Sequence, residues 1–179
     1  MRKVIHKWFW VWDFDKEEKW LNEMAAKGLA LVGVGFCRYE FEECVPGEYD
    51  IRLQLLEHNH CHAESQNYIS FVEETGAEHV GSWIRWVYFR KKTAEGEFQL
   101  LSDFDSRIKQ LSLIITMIAL ISLANLMIGI SNVSLMIGNS SEVNGVGFLN
   151  LAIGVLGSLG TWRLLRKRKA LKKEQEIFE

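Results

Sequence analysis

His58, His60, Cys61 and His62 crowd four potential metal ligands into five positions of this 179-residue chain. Imidazole and thiolate groups suit zinc or copper. Ligands packed this closely in one loop seldom close a tetrahedral shell alone, and no CxxC or HxxxH elsewhere completes them. The expectation is therefore a solvated polar loop, with no metal and no cofactor. Gly33-Val34-Gly35 lacks the third glycine and the following helix of a dinucleotide fingerprint, and the chain contains no GxxxxGK[ST], HExxH or GxSxG. The acidic pairs Glu17/Glu18, Glu42/Glu43 and Glu73/Glu74 read as solvated faces, so no general acid and base are nominated and no enzyme is expected. Trp83, Arg85 and Trp86, with Arg52 and Arg38, have the types for cation–π or anion recognition. Sheet packing with arginine stems laid over it is the simpler reading.

These residues must be positioned by a small α+β domain. Residues 4–12 (VIHKWFWVW) are β-branched and aromatic, which suits a first strand, with Trp8, Trp10 and Trp12 on one face and Phe9 and Val11 on the other. Asp15 with Glu18 is a capping-box pattern for a helix carrying Trp20, Leu21, Met24 and Ala25 on one face and ending at Gly28. Residues 29–42 read as a second strand, Pro46-Gly47 as a turn, and the alternation of Tyr49, Ile51, Leu53 and Leu55 as a third strand forming a hairpin with the second. A helix over 63–75, closed by Gly76, precedes a fourth strand over 79–91. No internal repeat is evident. The order βαββαβ predicts a ferredoxin-like sandwich with both helices on one sheet face. The other face is left open, and Trp8, Trp10, Trp12, Arg52, Trp83, Arg85 and Trp86 are its candidate interface residues.

The charge distribution argues against a wholly soluble protein. Residues 1–109 hold 14 Lys and Arg against 19 Asp and Glu, whereas no charge lies between Lys109 and Glu142 or between Glu142 and Arg163. Residues 111–130 and 143–162 are each long enough to cross a bilayer, at about 1.5 Å per residue against a hydrocarbon core of about 30 Å. Arg107 and Lys109 precede the first span, a cluster from Arg163 to Lys173 follows the second, and loop 131–142 has no Lys or Arg. Both termini are therefore expected to be cytoplasmic in a multi-pass cell-membrane protein. The division is a domain over 1–108, a two-helix hairpin over 109–165 and a basic tail over 166–179. Gly154 and Ser158 form a small-xxx-small pair for close helix packing, and Asn125 and Asn150 lie at matching depths, suited to a hydrogen bond across the hairpin. The tail reads as a topology determinant on lipid; an acidic domain offers no field for nucleic acid. Three cysteines with no CxxC pairing suit a reducing compartment.

The blocks FDKEEKWLNEMAAKGLALVGVGFCRYEFEECVPGEYDIRL (14–53), ESQNYISFVEETGAEHVGSWIRWVYFRKK (64–92) and FQLLSDFDSRIKQ (98–110) resemble the DUF-2812 family, a bacterial domain of unknown function common in Firmicutes. The resemblance implies C-terminal transmembrane helices and a regulatory setting near PadR-type transcriptional regulators, and it carries over no catalytic residue. Where the family often has proline before ESQ-Y, this chain has Asn59-His60-Cys61-His62. The expected function is a membrane-anchored regulator or sensor whose cytoplasmic domain binds a protein partner, a second copy or a small ligand. The alternative is an accessory subunit of a membrane transporter or resistance system.

Overall fold

The computed structural model of the chain describes residues 2–101, 104–139 and 145–178, without the side chains of residues 138, 139 and 178. The chain forms two compact units, Met1–Ser102 and Asp103–Glu179. Residues 140–144, with Glu142 and the start of the expected second span, lie outside the described residues.

The first unit is α+β. Its elements are β1 (Arg2–His6), α1 (Phe14–Ala26), β2 (Leu29–Gly35), β3 (Arg38–Glu43), β4 (Tyr49–Leu55), α2 (Ala63–Glu74), β5 (Glu78–Trp83) and β6 (Trp86–Lys92). They build two three-stranded antiparallel sheets, β1-β3-β2 and β4-β6-β5. This differs from the expected βαββαβ order in a simple way. Each of the long strands expected over 29–42 and 79–91 is a hairpin, turning at Phe36-Cys37 and at Ile84-Arg85. Neither turn carries an Asn-Gly or Asp-Gly signal; the reversal is made by positive φ at Cys37 (52°) and Ile84 (57°). The second and third expected strands consequently do not pair, since β2 takes β3 and β4 takes β6. The first strand stops at His6 rather than residue 12, because its partner β3 begins at Arg38 and beyond that pair only the Lys7 N–H finds an acceptor, the Cys37 carbonyl of the turn (3.1 Å).

The two sheets repeat one arrangement. Each half runs β-α-β-β with the same strand order, and equivalent positions lie 48 residues apart: Leu21 and Ile69 in the helices, Gly28 and Gly76 behind them, Val32-Gly33 and Val80-Gly81 at the bulges, Phe41 and Phe89 in the central strands. Gly28 and Gly76 both have positive φ (80° and 89°) where each helix turns into a strand. The repeat escapes the eye because only glycines and a few apolar residues are shared. Equivalent residues of opposite type even pair across the halves. Arg90 bonds Glu42 at 3.1 Å while also donating to Glu78 at 2.7 Å and to the Leu31 carbonyl at 3.1 Å.

The cores follow from strand alternation. Leu21, Met24 and Ala25 of α1 bury against Leu31, Tyr39 and Phe41 of the first half and Ile51, Leu53 and Tyr88 of the second. Ile69 and Val72 of α2 bury against Val87 and Phe89, which point to the opposite side of β6. The two helices thus lie on opposite faces of the β4-β6-β5 sheet, not on one face as expected. The predicted Asp15/Glu18 capping box is replaced by a longer-range contact. The helix begins at Phe14, and Glu18 accepts a bond from the Leu53 N–H (3.1 Å) while the Asn22 amide pairs both with the Ile51 carbonyl and with its N–H (2.8 Å each). Side chains of α1 therefore satisfy the free edge of β4.

The second unit is an antiparallel pair, α3 (Phe104–Asn139) and α4 (Gly145–Phe178), both long and apolar enough to cross a membrane. Only 28% and 22% of their most apolar stretches are buried, unlike the core helix of a soluble protein. Their seam is set by glycines. A Cβ on Gly154 would lie 2.6 Å from Leu126 Cγ, and one on Gly129 would lie 2.8 Å from the backbone nitrogen of Leu151.

Candidate functional site

Past His6 the chain leaves the sheet, yet its alternation persists. Phe9 turns inward onto Trp20 and Tyr39 with the Lys7 ammonium over it, while Trp8 and Trp10 turn outward. There they meet the first hairpin turn. Trp8 packs edge-on to Trp10 (5.6 Å) and to Phe36 (5.8 Å), Phe36 lies 5.6 Å from Trp83, and Trp10 stacks on Trp12 at 4.9 Å with 4° between planes. The result is a continuous aromatic chain, Trp12–Trp10–Trp8–Phe36–Trp83, drawn from both halves of the first unit. Trp8 (57% exposed), Phe36 (62%) and Ile84 (59%) are open to solvent, and Trp10, Val11 and Trp83 are also exposed. Contiguous apolar surface of this extent is uncommon on a solvated protein. Beneath it, Trp12 Nε1 is buried with no hydrogen-bond partner among the described residues, an arrangement that ordinarily costs about 1–3 kcal/mol.

Two features of this end follow from the turns. Ile84 and Cys37 sit in the left-handed region, and a β-branched residue there carries a local strain of about 1–3 kcal/mol. Arg85 donates to the Leu56 carbonyl (2.8 Å) and to the Glu57 carbonyl, and His60 Nδ1 bonds the Ile84 carbonyl (3.0 Å), so loop 56–62 is strapped to the second turn.

The structure places Trp8, Trp10, Trp12 and Trp83 in one ring-contact chain with Phe36, and Val11, which the alternation put with Phe9, is exposed instead. Phe36 and Ile84 were hidden inside the expected long strands. Arg52 and Trp86 belong elsewhere. Arg52 is held by Asp50 (2.8 Å), the Phe98 carbonyl (3.0 Å) and Glu18 (3.7 Å), and Trp86 packs on Phe14 and the main core. Arg85 is a strap rather than an anion ligand.

A second polar feature was read in the sequence as solvated surface. Glu17 is buried, and one of its oxygens accepts from both Tyr39 (2.8 Å) and Tyr88 (2.6 Å), the central strands of the two halves. Burial pushes its carboxyl above the usual range, the two phenols pull it back, and both phenols are raised by burial and by the neighbouring carboxylate. Glu17 thus joins the halves under α1.

The histidine loop is more organised than expected. His58 Nε2 lies 3.2 Å from Glu64 Oε2, the His58 and His62 rings stack at 4.4 Å, and one ligand atom from each of His58, His62 and Glu64 falls within 4.8 Å of the others. Glu64 was missed because its approach depends on the first turn of α2.

In the hairpin, Asn125 donates to the Ile121 carbonyl of its own helix (2.8 Å) rather than across to Asn150. Ser158 likewise bonds back to Gly154 (2.8 Å), while Gly154 itself meets Leu126. Gly129, Gly147 and Gly157 share the close-packing role that the Gly154/Ser158 pair was expected to hold.

The family described as "Protein of unknown function (DUF2812)" matches residues 13–123. The chain belongs to the DUF2812 family. The match takes in Phe36 and Trp83 of the aromatic chain but not Trp8, Trp10 or Trp12, together with Glu17 and both its tyrosines, strands β2 to β6 and the first half of α3. No curated protein and no solved structure matches this DUF2812 chain.

Proposed function

We propose that this DUF2812 protein is a non-enzymatic, membrane-anchored regulatory or sensory module. Its sheet domain stands on the cytoplasmic side, where its aromatic end engages a protein partner or small ligand. Its α3–α4 hairpin holds that domain at the bilayer. The observation that carries the reading is the exposed chain Trp8–Phe36–Trp83, assembled from three separate segments and flanked by a strained turn. Large aromatic side chains supply most of the energy in protein interfaces, because they bury much area at little entropic cost. Trp162 supports the anchoring. It lies at the basic end of the apolar stretch of α4, half exposed, with the Arg166 guanidinium 3.7 Å from its ring centre, as suits a headgroup boundary.

Co-purification of the full chain from detergent extracts tests the reading. Trp10→Ala and Trp83→Ala should each lower recovery of the partner about tenfold or more, since loss of a buried aromatic anchor commonly costs 2 kcal/mol or above. Phe71→Ala, at an exposed aromatic on α2, should leave recovery unchanged. Equal recovery with all three would defeat it. The second reading, an accessory subunit of a membrane transporter, is favoured by the large apolar surface that α3 and α4 leave uncovered, and it predicts that hairpin substitutions alone abolish the phenotype.

A further inference from the structure

We propose that His58, His62 and Glu64 form a binding site for a divalent transition-metal cation of the zinc class, at the mouth of α2. Three donor atoms of suitable chemistry already converge there, all within 4.8 Å and all on exposed residues, so a cation has both ligands and an entry path. Zinc bonds of about 2.0–2.1 Å place neighbouring ligands of a tetrahedron about 3.3 Å apart. The His58 Nε2 to Glu64 Oε2 separation of 3.2 Å is already at that value, and a His62 ring nitrogen lies within 4.8 Å of both donors. His62 Nδ1 accepts the Glu64 N–H as the helix cap (3.4 Å), which leaves its Nε2 for the metal. A fourth position stays open to water or an incoming group.

The loop is held without the metal. His60 bonds Ile84, Arg85 grips the Leu56 and Glu57 carbonyls, Asn59 accepts from the Cys61 N–H (3.2 Å), and Gln66 donates to the His60 carbonyl. A ligand set positioned in advance loses less freedom on binding. The helix terminus opposes a cation with about half a positive charge, against which Glu64 brings a full negative one. The same strap ends at Ile84, so occupancy would stiffen one border of the aromatic end. His60 does not complete the site. Its Nδ1 must carry the proton it gives to the Ile84 carbonyl, and its Nε2 faces Cys61 Sγ at 3.2 Å.

The test is titration of the full chain in detergent, prepared without a polyhistidine tag, with zinc by calorimetry and with cobalt by visible spectroscopy. One equivalent of zinc should bind. His58→Ala and His62→Asn, the latter keeping a capping side chain, should each weaken it by more than the roughly 10–100-fold that loss of a merely orienting partner costs. Cys61→Ser should bind as the parent does, and the cobalt form should show no thiolate charge-transfer band. Zinc binding unchanged by both histidine variants, or absent altogether, overturns the proposal. So does a thiolate band that vanishes in Cys61→Ser, which would assign the metal to the His60–Cys61 pair.

Discussion

Replacing Glu17 with alanine should destabilise the first unit by about 2–5 kcal/mol, because it strands two buried phenol donors and leaves a small void. Tyr39 and Tyr88 both donate to the same Glu17 oxygen, and they come from the central strands of the two halves. Glu17→Gln keeps an acceptor in place and should stay within about 1 kcal/mol of the parent. The two variants also differ in how stability responds to pH. Burial raises the Glu17 carboxyl above its ordinary range, so between the unfolded and folded values the native state holds more protons than the unfolded one. Stability from this group is therefore greatest at the acid end and falls as pH rises through the raised folded value. Glu18 and Asp50 are raised as well, each by burial, so the parent minus Glu17→Gln difference isolates the slope due to Glu17. Denaturant titration followed by tryptophan emission at several pH values reads both effects. A midpoint for Glu17→Ala equal to the parent's would show that the tyrosines do not depend on it.

The second large effect is expected in the hairpin. A side chain at Gly154 would begin 2.6 Å from Leu126 Cγ and 3.0 Å from the Leu126 nitrogen. The nitrogen cannot move aside as a side-chain end can, so Gly154→Leu must push α4 off α3 locally, at an overpacking cost of about 1–3 kcal/mol. Cysteines at positions 132 and 147 give the readout, since a Cβ on Gly147 would lie 3.0 Å from Asn132 Cβ, close to disulfide range. In a background with the native cysteines replaced by serine, this pair should oxidise readily. Adding Gly154→Leu should lower the yield about tenfold. Unchanged oxidation would mean that the seam is not set by Gly154.

What the sequence disclosed depended on how locally each feature is encoded. The two apolar helices were legible from the uncharged runs flanked by Arg107, Lys109 and Arg163, since hydrophobic length needs no partner to be recognised. Helix α2 was legible from the spacing of Tyr68, Ile69 and Val72 and from Gly76. The hairpins were not, because Phe36-Cys37 and Ile84-Arg85 look like strand residues and reverse the chain only through backbone torsions that the folded context imposes. Missing those two turns merged four strands into two and concealed the repeated β-α-β-β order. For the candidate site, alternation separated Trp8 and Trp10 from Phe9 without saying which set faces out, and it put the exposed Val11 with Phe9. Phe36 could be found only once its turn was known. Glu17 was taken for surface because its neighbour Glu18 made an acidic pair, whereas the helix aims one carboxylate at two tyrosines and the other at the edge of β4.

The proposed function requires the aromatic end to be an occupied surface in the cell. A photoreactive phenylalanine analogue placed at Phe36, and separately at Phe71, in the full chain within intact cells addresses this directly. The account predicts a discrete crosslinked species from position 36 that disappears when Trp83→Ala is added, with none from position 71. Crosslinking of equal extent at the two positions, or none at position 36, would contradict it.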